Sequence, residues 1–290
     1  MTEEEIRVTV ESALEESVES VHLSDDDVDS IIADTGIQLE PVHEEIPTNS
    51  ETLMLDEATS RFSSAIWYEA IQKKTILLAG VGGIGSYVGF LLARMKPESL
   101  FIMDDDVVEY ANMSGQLYSS QDVGLTKVNA LANMLKLYAG YGSVIALPER
   151  YDDSTNSTDI MICGFDNMTA RRLFYRGWKN HVIELPKEER SKCLFIDGRL
   201  AAEEFQVFCI QGNDEFNMNR YEKDYLFRDV EAEETVCSYK QTTFCANMIA
   251  SVMVNLFTNF VANECEPLIP RDLPFLTRYD ASTMYFKTEA

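Results

Sequence analysis

Near its start the chain sets apolar residues at helical spacing among carboxylates: Ile6, Val10, Leu14, Val18 and Val21 fall on one face, which predicts an amphipathic helix over residues 3–21. Ser24 and the three aspartates after it predict a second helix start, with a hydroxyl cap, negative charge at the positive end of the dipole, and Gly36 as its stop. Residues 41–50 hold two prolines among polar neighbours and read as a linker. From about Leu55 the pattern changes. Short apolar runs predict strands at 75–79, 99–103, 144–147, 159–163, 193–196, 205–210 and 283–286, and helical periodicity predicts helices over 84–95, 122–138, 169–178 and 242–261. Such alternation implies an α/β fold, a doubly wound and mostly parallel sheet of Rossmann type, whose ligands bind outside the carboxyl ends of the strands. Residues 213–235, polar and aromatic, read as a loop crossing over the sheet. Two units are expected: an acidic helical extension over 1–54 and an α/β domain over 55–290.

Composition narrows the partners. With 290 residues and 46% hydrophobic content the chain can bury a full core. No uninterrupted apolar run reaches the roughly eighteen residues of a membrane span, and the first residues are acidic where a targeting peptide is basic. A soluble, cytoplasmic protein without a membrane partner is expected. The net charge is −25, and residues 1–57 hold 18 of the acidic side chains against a single arginine. That field repels a phosphate backbone, so nucleic acid is excluded as the main partner. The six cysteines are dispersed without a Cys-x-x-Cys pair, and there are three histidines. Neither a disulfide framework nor a zinc site is expected; most of the thiols read as small buried hydrophobes.

The chemistry begins at Gly80-Val-Gly-Gly-Ile-Gly85, between a predicted strand and a predicted helix. Gly80, Gly82, Gly83 and Gly85 let the backbone turn tightly and approach a phosphate, whose charge meets the free N–H groups at the helix start. This motif alone does not choose among NAD, FAD and ATP. Three carboxylates follow at the end of the next strand. Asp104, 24 residues after Gly80, stands where a carboxylate accepts hydrogen bonds from a neutral ribose. Asp106, sharing its orientation by strand alternation, suits a divalent cation between itself and phosphates, while Asp105 points the other way into solvent.

These residues extend into an ordered set. The glycine loop, Asp104-x-Asp106-Val with Asn112 and Gln116, Asp122-Val-Gly ending on Lys127, and Cys163-x-x-Asp166-Asn167 together resemble the ThiF/MoeB/HesA family, the adenylating fold of ubiquitin-activating enzymes. Tyr279-Asp-Ala281 resembles that family's ending, so the likeness covers about Leu55 to Lys287. It implies an adenylyltransferase that binds ATP and Mg²⁺ and activates the C-terminal carboxylate of a ubiquitin-like or sulfur-carrier protein or peptide, as a homodimer through its apolar C-terminal helices. By the same likeness Asp104 binds ribose, Asn112 and Lys127 contact phosphates, Asp166 holds magnesium, and Cys237 takes the acyl group as a thioester or carries a persulfide. Lys240 and a helix start near Cys237 favour its thiolate.

The likeness breaks at two cations. The family reads Asn-x-x-Arg-Gln where this chain reads Asn112-Met-Ser-Gly115-Gln116, and Arg-Tyr-x-Arg where it reads Arg61-Phe-Ser-Ser64. Arg61, Arg171, Arg172 and Arg199 are candidates to supply the missing charge, because a guanidinium reaches a phosphate from several backbone positions. The competing expectations are a nucleotide-binding scaffold silenced by those losses, and a nicotinamide or flavin oxidoreductase on the same glycine loop.

Overall fold

The computed structural model describes residue 59, residues 61–227 and residues 241–290, all within one compact unit, Thr52–Ala290. The expected extension over 1–54 and Cys237 lie outside the described residues.

A short helix α1 (Tyr68–Ile71) leads into β1 (Thr75–Ala79), α2 (Gly83–Arg94) and β2 (Ser99–Met103); α3 (Lys127–Ala139), β3 (Val144–Leu147), β4 (Ile160–Cys163) and α4 (Met168–Glu184) follow. The chain continues through β5 (Leu194–Ala201), β6 (Glu204–Gln211), α5 (Glu215–Asp224), α6 (Thr243–Glu264), β7 (Leu276–Asp280) and β8 (Tyr285–Glu289). The eight strands form one sheet in the order β3-β2-β1-β4-β5-β6-β7-β8. From β3 to β5 neighbours are parallel, and from β6 onward antiparallel. The expected α/β architecture is therefore present, with a mixed sheet.

Both faces are covered, which explains the nearly unbroken apolar runs of β1 and β4. One face packs Ile76, Leu78, Ile102 and Ile162 against α2, α3 and α6. The other packs Leu77, Met161 and Phe195 against Phe174, Tyr175 and Trp178 of α4 and Met218 and Tyr221 of α5. Alternate residues of each strand thus feed opposite cores.

Several expected boundaries move, each for a local reason. The helix read from residue 122 starts at Lys127 instead: residues 120–122 form a separate 3₁₀ turn, Gly124 takes φ +89°, and Thr126 is held extended by a bridge to Val107. The supposed crossover loop contains α5, whose start is fixed by Asp214 accepting the N–H of Asn217, and whose Met218 and Tyr221, three apart, are buried. Such a short apolar stripe in a polar stretch carries almost no periodic signal. The strand β7 was not expected at all, and the terminal strand expected at 283–286 runs from Tyr285 to Glu289. α6 is long and apolar enough, by length and composition, to cross a membrane, against the expectation that no stretch would be. Its burial has a local explanation, since Ile249, Met253, Phe257 and Phe260 pack inside this domain. Its apolar character therefore needs no second subunit. Among the described cysteines Cys163, Cys193, Cys209 and Cys245 are buried and free, as small hydrophobes would be, and Cys265 is half-buried.

Candidate functional site

The register of the parallel strands brings the motifs to one edge. Ala79 at the end of β1 pairs with Met103 at the end of β2 and with Cys163 at the end of β4. The glycine loop, the aspartate turn and the Gly164–Asn167 loop therefore leave the sheet side by side, as expected for a doubly wound sheet. Backbone bonds join them: Gly80 N–H donates to Met103 O at 2.9 Å, and Gly164 N–H to Ala79 O at 3.1 Å.

Two glycines of the loop are dictated by geometry. Gly80 lies at φ +76°, a region L side chains rarely adopt. At Gly85 a methyl group would come 2.0 Å from Gly80 O, so the loop closes against the first turn of α2 only without one. That helix has no side-chain cap, leaving backbone N–H groups of its first turn for another acceptor.

Asp104 locks the loop. One carboxylate oxygen accepts Val81 N–H at 2.9 Å and the other accepts Asp106 N–H at 2.9 Å. Burial pushes its carboxyl above the ordinary carboxylate value, while Lys127 and these two donors oppose that. Each oxygen keeps a lone pair, so the group can still accept two hydroxyls. Asp105 departs from the expected alternation, because residues 104–106 have left the strand. The three carboxylates lie within 4.8 Å of one another, and Asp105 meets Arg150 at 2.8 Å.

Lys127 opens α3 and is buried, its Nζ 2.7 Å from Asp106 Oδ2. Its backbone N–H donates to Asp106 O, which fixes the helix start on the aspartate turn. Tyr118, which the sequence did not single out, ties these parts together: its hydroxyl donates to Val81 O at 2.6 Å and also lies 3.3 Å from Lys127 O. Asn112 has a structural duty, its side-chain oxygen accepting Glu109 N–H at 2.8 Å in a short 3₁₀ turn. Gln116 borders Gly82, and its Oε1 is buried without a partner. Asp166 is exposed, near the N-terminus of α4, which Asn167 caps through Ala170 N–H.

Two of the four arginines proposed to replace the missing cation are committed elsewhere. Asp197, wholly buried on β5, receives Arg171 Nε at 2.7 Å, Arg199 Nε at 2.7 Å and the Tyr221 hydroxyl at 2.8 Å. Burial opposes its charge, yet the two guanidiniums outweigh that and hold its carboxyl below the ordinary value. Arg171 also donates to Phe165 O and, at 3.1 Å, to Gly198 O, so it fastens the loop bearing Asp166 to β5. Arg61 stands in a turn beside α1, where Ile66 O meets Cys265 just beyond the C-terminal end of α6. The glycine loop meets the other end of that helix, where Gln241 lies against Gly83 and Thr243 bonds Ser114 O. With about 33 Å between the ends of a helix of that length, Arg61 does not serve its own cleft. Arg172, exposed on α4, is left as a candidate. The signal for the Asp197 cluster was present in the sequence, as two charges in Asp197-Gly-Arg199 interrupting an apolar strand.

Gln241, just before α6, lies against the glycine loop. Its carboxamide lies against both Gly83 and Gly115, and its Nε2 donates to Gly115 O at 3.3 Å.

Comparison with known proteins agrees with this fold. The model of the ThiF family matches residues 53–289. The ubiquitin-like modifier-activating enzyme 5 of Drosophila persimilis is 33% identical over 110 residues, which is 38% of this chain and 29% of that protein. The enzyme of the same name from Caenorhabditis elegans is 43% identical over 68 residues, 23% of this chain and 16% of that one. The matched stretch thus spans less than a third of these relatives. Among solved structures, PaaA superposes with a TM-score of 0.62 at 16% identity, covering 97% of this chain and 85% of that one. E. coli MccB with MccA gives 0.58 at 14% identity, covering 80% and 70%. At such identities these two structures show the shared fold.

Proposed function

We propose that this chain, which belongs to the ThiF family, is an ATP-dependent adenylyltransferase that activates the C-terminal carboxylate of a ubiquitin-like or sulfur-carrier protein or of a peptide. The observation that carries the reading is the convergence of the glycine loop, Asp104, Lys127 and the Asp166 loop on one edge of the sheet, joined by the hydrogen bonds of Asp104 and Tyr118. Names of the relatives support the class: one solved MccB structure holds ATP, and another holds MccA.

The residues fit a magnesium nucleotide. Gly80 and Gly85 let the loop close against the Gly164–Phe165 backbone and the first turn of α2, and that helix start has no side-chain cap, so its free N–H groups suit phosphate oxygens. In this reading Asp104 accepts the ribose hydroxyls. The uncapped start of α2, Lys127 and Asn112 hold phosphates, with Arg172 as the further cation. Asp166 and Asp106 would hold Mg²⁺, which supplies countercharge to the leaving pyrophosphate. The substrate carboxylate oxygen attacks the α-phosphorus, the bond from that phosphorus to the bridging oxygen breaks, and pyrophosphate departs with the electron pair. Lys127, released from Asp106, offsets the charge that gathers on the leaving group; aimed cations of this kind are worth about 10²–10³ in rate. Transfer to Cys237 follows as an acyl exchange from AMP to sulfur.

ATP–pyrophosphate exchange in the presence of a candidate carrier tests the reaction. Exchange that Asp166→Ala abolishes is the expected outcome. Tight ATP binding with no exchange for any carrier favours a nucleotide-binding scaffold instead.

A further inference from the structure

We propose that Gln241 controls access to the phosphate cradle: its carboxamide occupies the space beside Gly83 at the start of α2 when no nucleotide is bound, and nucleotide binding displaces it. The inference rests on the reading of this cleft as a nucleoside triphosphate site.

A methyl group built on Gly83, the first residue of α2, would lie 2.3 Å from Gln241 Oε1 and 2.4 Å from its Nε2. The amide therefore fills the space directly against the helix start, where an anion is drawn by the dipole and the free N–H groups. Two groups cannot share that volume, so a bound phosphate and this rotamer exclude each other.

Gly115 has the reciprocal role. A Cβ there would lie 2.5 Å from Gln241 Nε2, and Gly115 is itself buried. An arginine at 115 would have to push the amide away, so the glycine and the glutamine form one packing unit. The side chain is also tethered. Gln241 bridges to Ala202 just after β5, and Thr243 Oγ1 donates to Ser114 O at 2.5 Å. Thr242 between them caps α6 through Cys245 N–H. Nucleotide entry would thus strain the root of α6, and Cys237 stands four residues before Gln241 in the chain. Gln116 lies beside the same loop. Its side chain borders Gly82, and its Oε1 has no partner.

Because the cradle must be open to bind, apparent affinity falls by the fraction of molecules in which Gln241 is withdrawn. Calorimetric titration of the full chain with ATP and Mg²⁺ tests this directly. Gln241→Ala should bind roughly five- to tenfold more tightly than the unaltered chain, as expected if the open state is the minor one. Gly115→Arg alone should bind more weakly, whereas Gly115→Arg combined with Gln241→Ala should bind at least as tightly as Gln241→Ala. Thermal unfolding without nucleotide confirms that each variant is folded. Equal or weaker binding by Gln241→Ala, or strictly additive effects of the two substitutions, overturns the proposal while leaving the nucleotide site intact. Folded protein that binds no ATP with or without Gln241 overturns the nucleotide reading itself.

Discussion

Asp197 is the residue on which the Asp166 loop depends, through the arginine that fastens that loop to β5. Its carboxylate, with no exposed surface, answers the buried guanidinium of Arg171 and the largely buried one of Arg199, and removing one partner of such a cluster strands the others in a low-dielectric interior. Asp197→Asn should destabilise the domain by about 3–5 kcal/mol, read as a lower midpoint in urea unfolding. The pH sign follows from a carboxyl held below its ordinary value of 3.8. The stabilisation is complete above the unfolded-state value and is lost as pH falls through the lower folded one, so the gap between the two proteins should close only in strong acid. Asp104 behaves oppositely, because burial raises it. In the proposed function its ionised form accepts the ribose hydroxyls, so ATP affinity should begin to fall at a pH above 3.8 as the carboxyl takes up its proton. Asp104→Asn should weaken binding by roughly 10- to 100-fold, the worth of hydrogen bonds to a charged group, and should abolish that pH dependence. Lys127→Ala separates stability from chemistry. Its partner Asp106 keeps 62% of its side chain in solvent, so the pair adds about 1 kcal/mol or less to folding. Exchange should nevertheless drop by about 10²–10³.

At the scale of elements, the glycine loop and α2 act as one unit. Gly85→Ala forces a methyl against Gly80 O and should displace the loop from Asp104, lowering both thermal stability and ATP affinity. Elements made of long apolar repeats or bounded by glycine were legible in the sequence. The strands β1, β2 and β4, the helix α2 and the motifs at their ends stand where the pattern put them, because each buries a continuous face. What the pattern concealed depends on partners distant in the chain. α5 is held by Met218 and Tyr221 against β6 and α4. The fate of Arg171 and Arg199 was set by Asp197, 26 and two residues away. Gln241 meets Gly115 across 126 residues, a contact no local signal announces.

For the whole molecule, the sheet divides its labour. The parallel half, β3 to β5, presents the glycine-loop edge proposed to bind nucleotide; the antiparallel half, β6 to β8, ends in an edge strand with Tyr285 and Phe286 largely exposed. Such an edge invites pairing with another chain, and it offers a better basis for a homodimer than α6, which is buried within its own domain. Light scattering should give twice the 32.9 kDa chain mass, and Tyr285→Lys should return the monomer. The most direct test of the account is equilibrium binding of ATP with Mg²⁺ to the full chain, measured beside Asp104→Asn. Saturable binding at one site per chain, lost or strongly weakened in the variant, is the predicted result. Absence of binding by folded protein, or binding unaffected by the substitution, would contradict it.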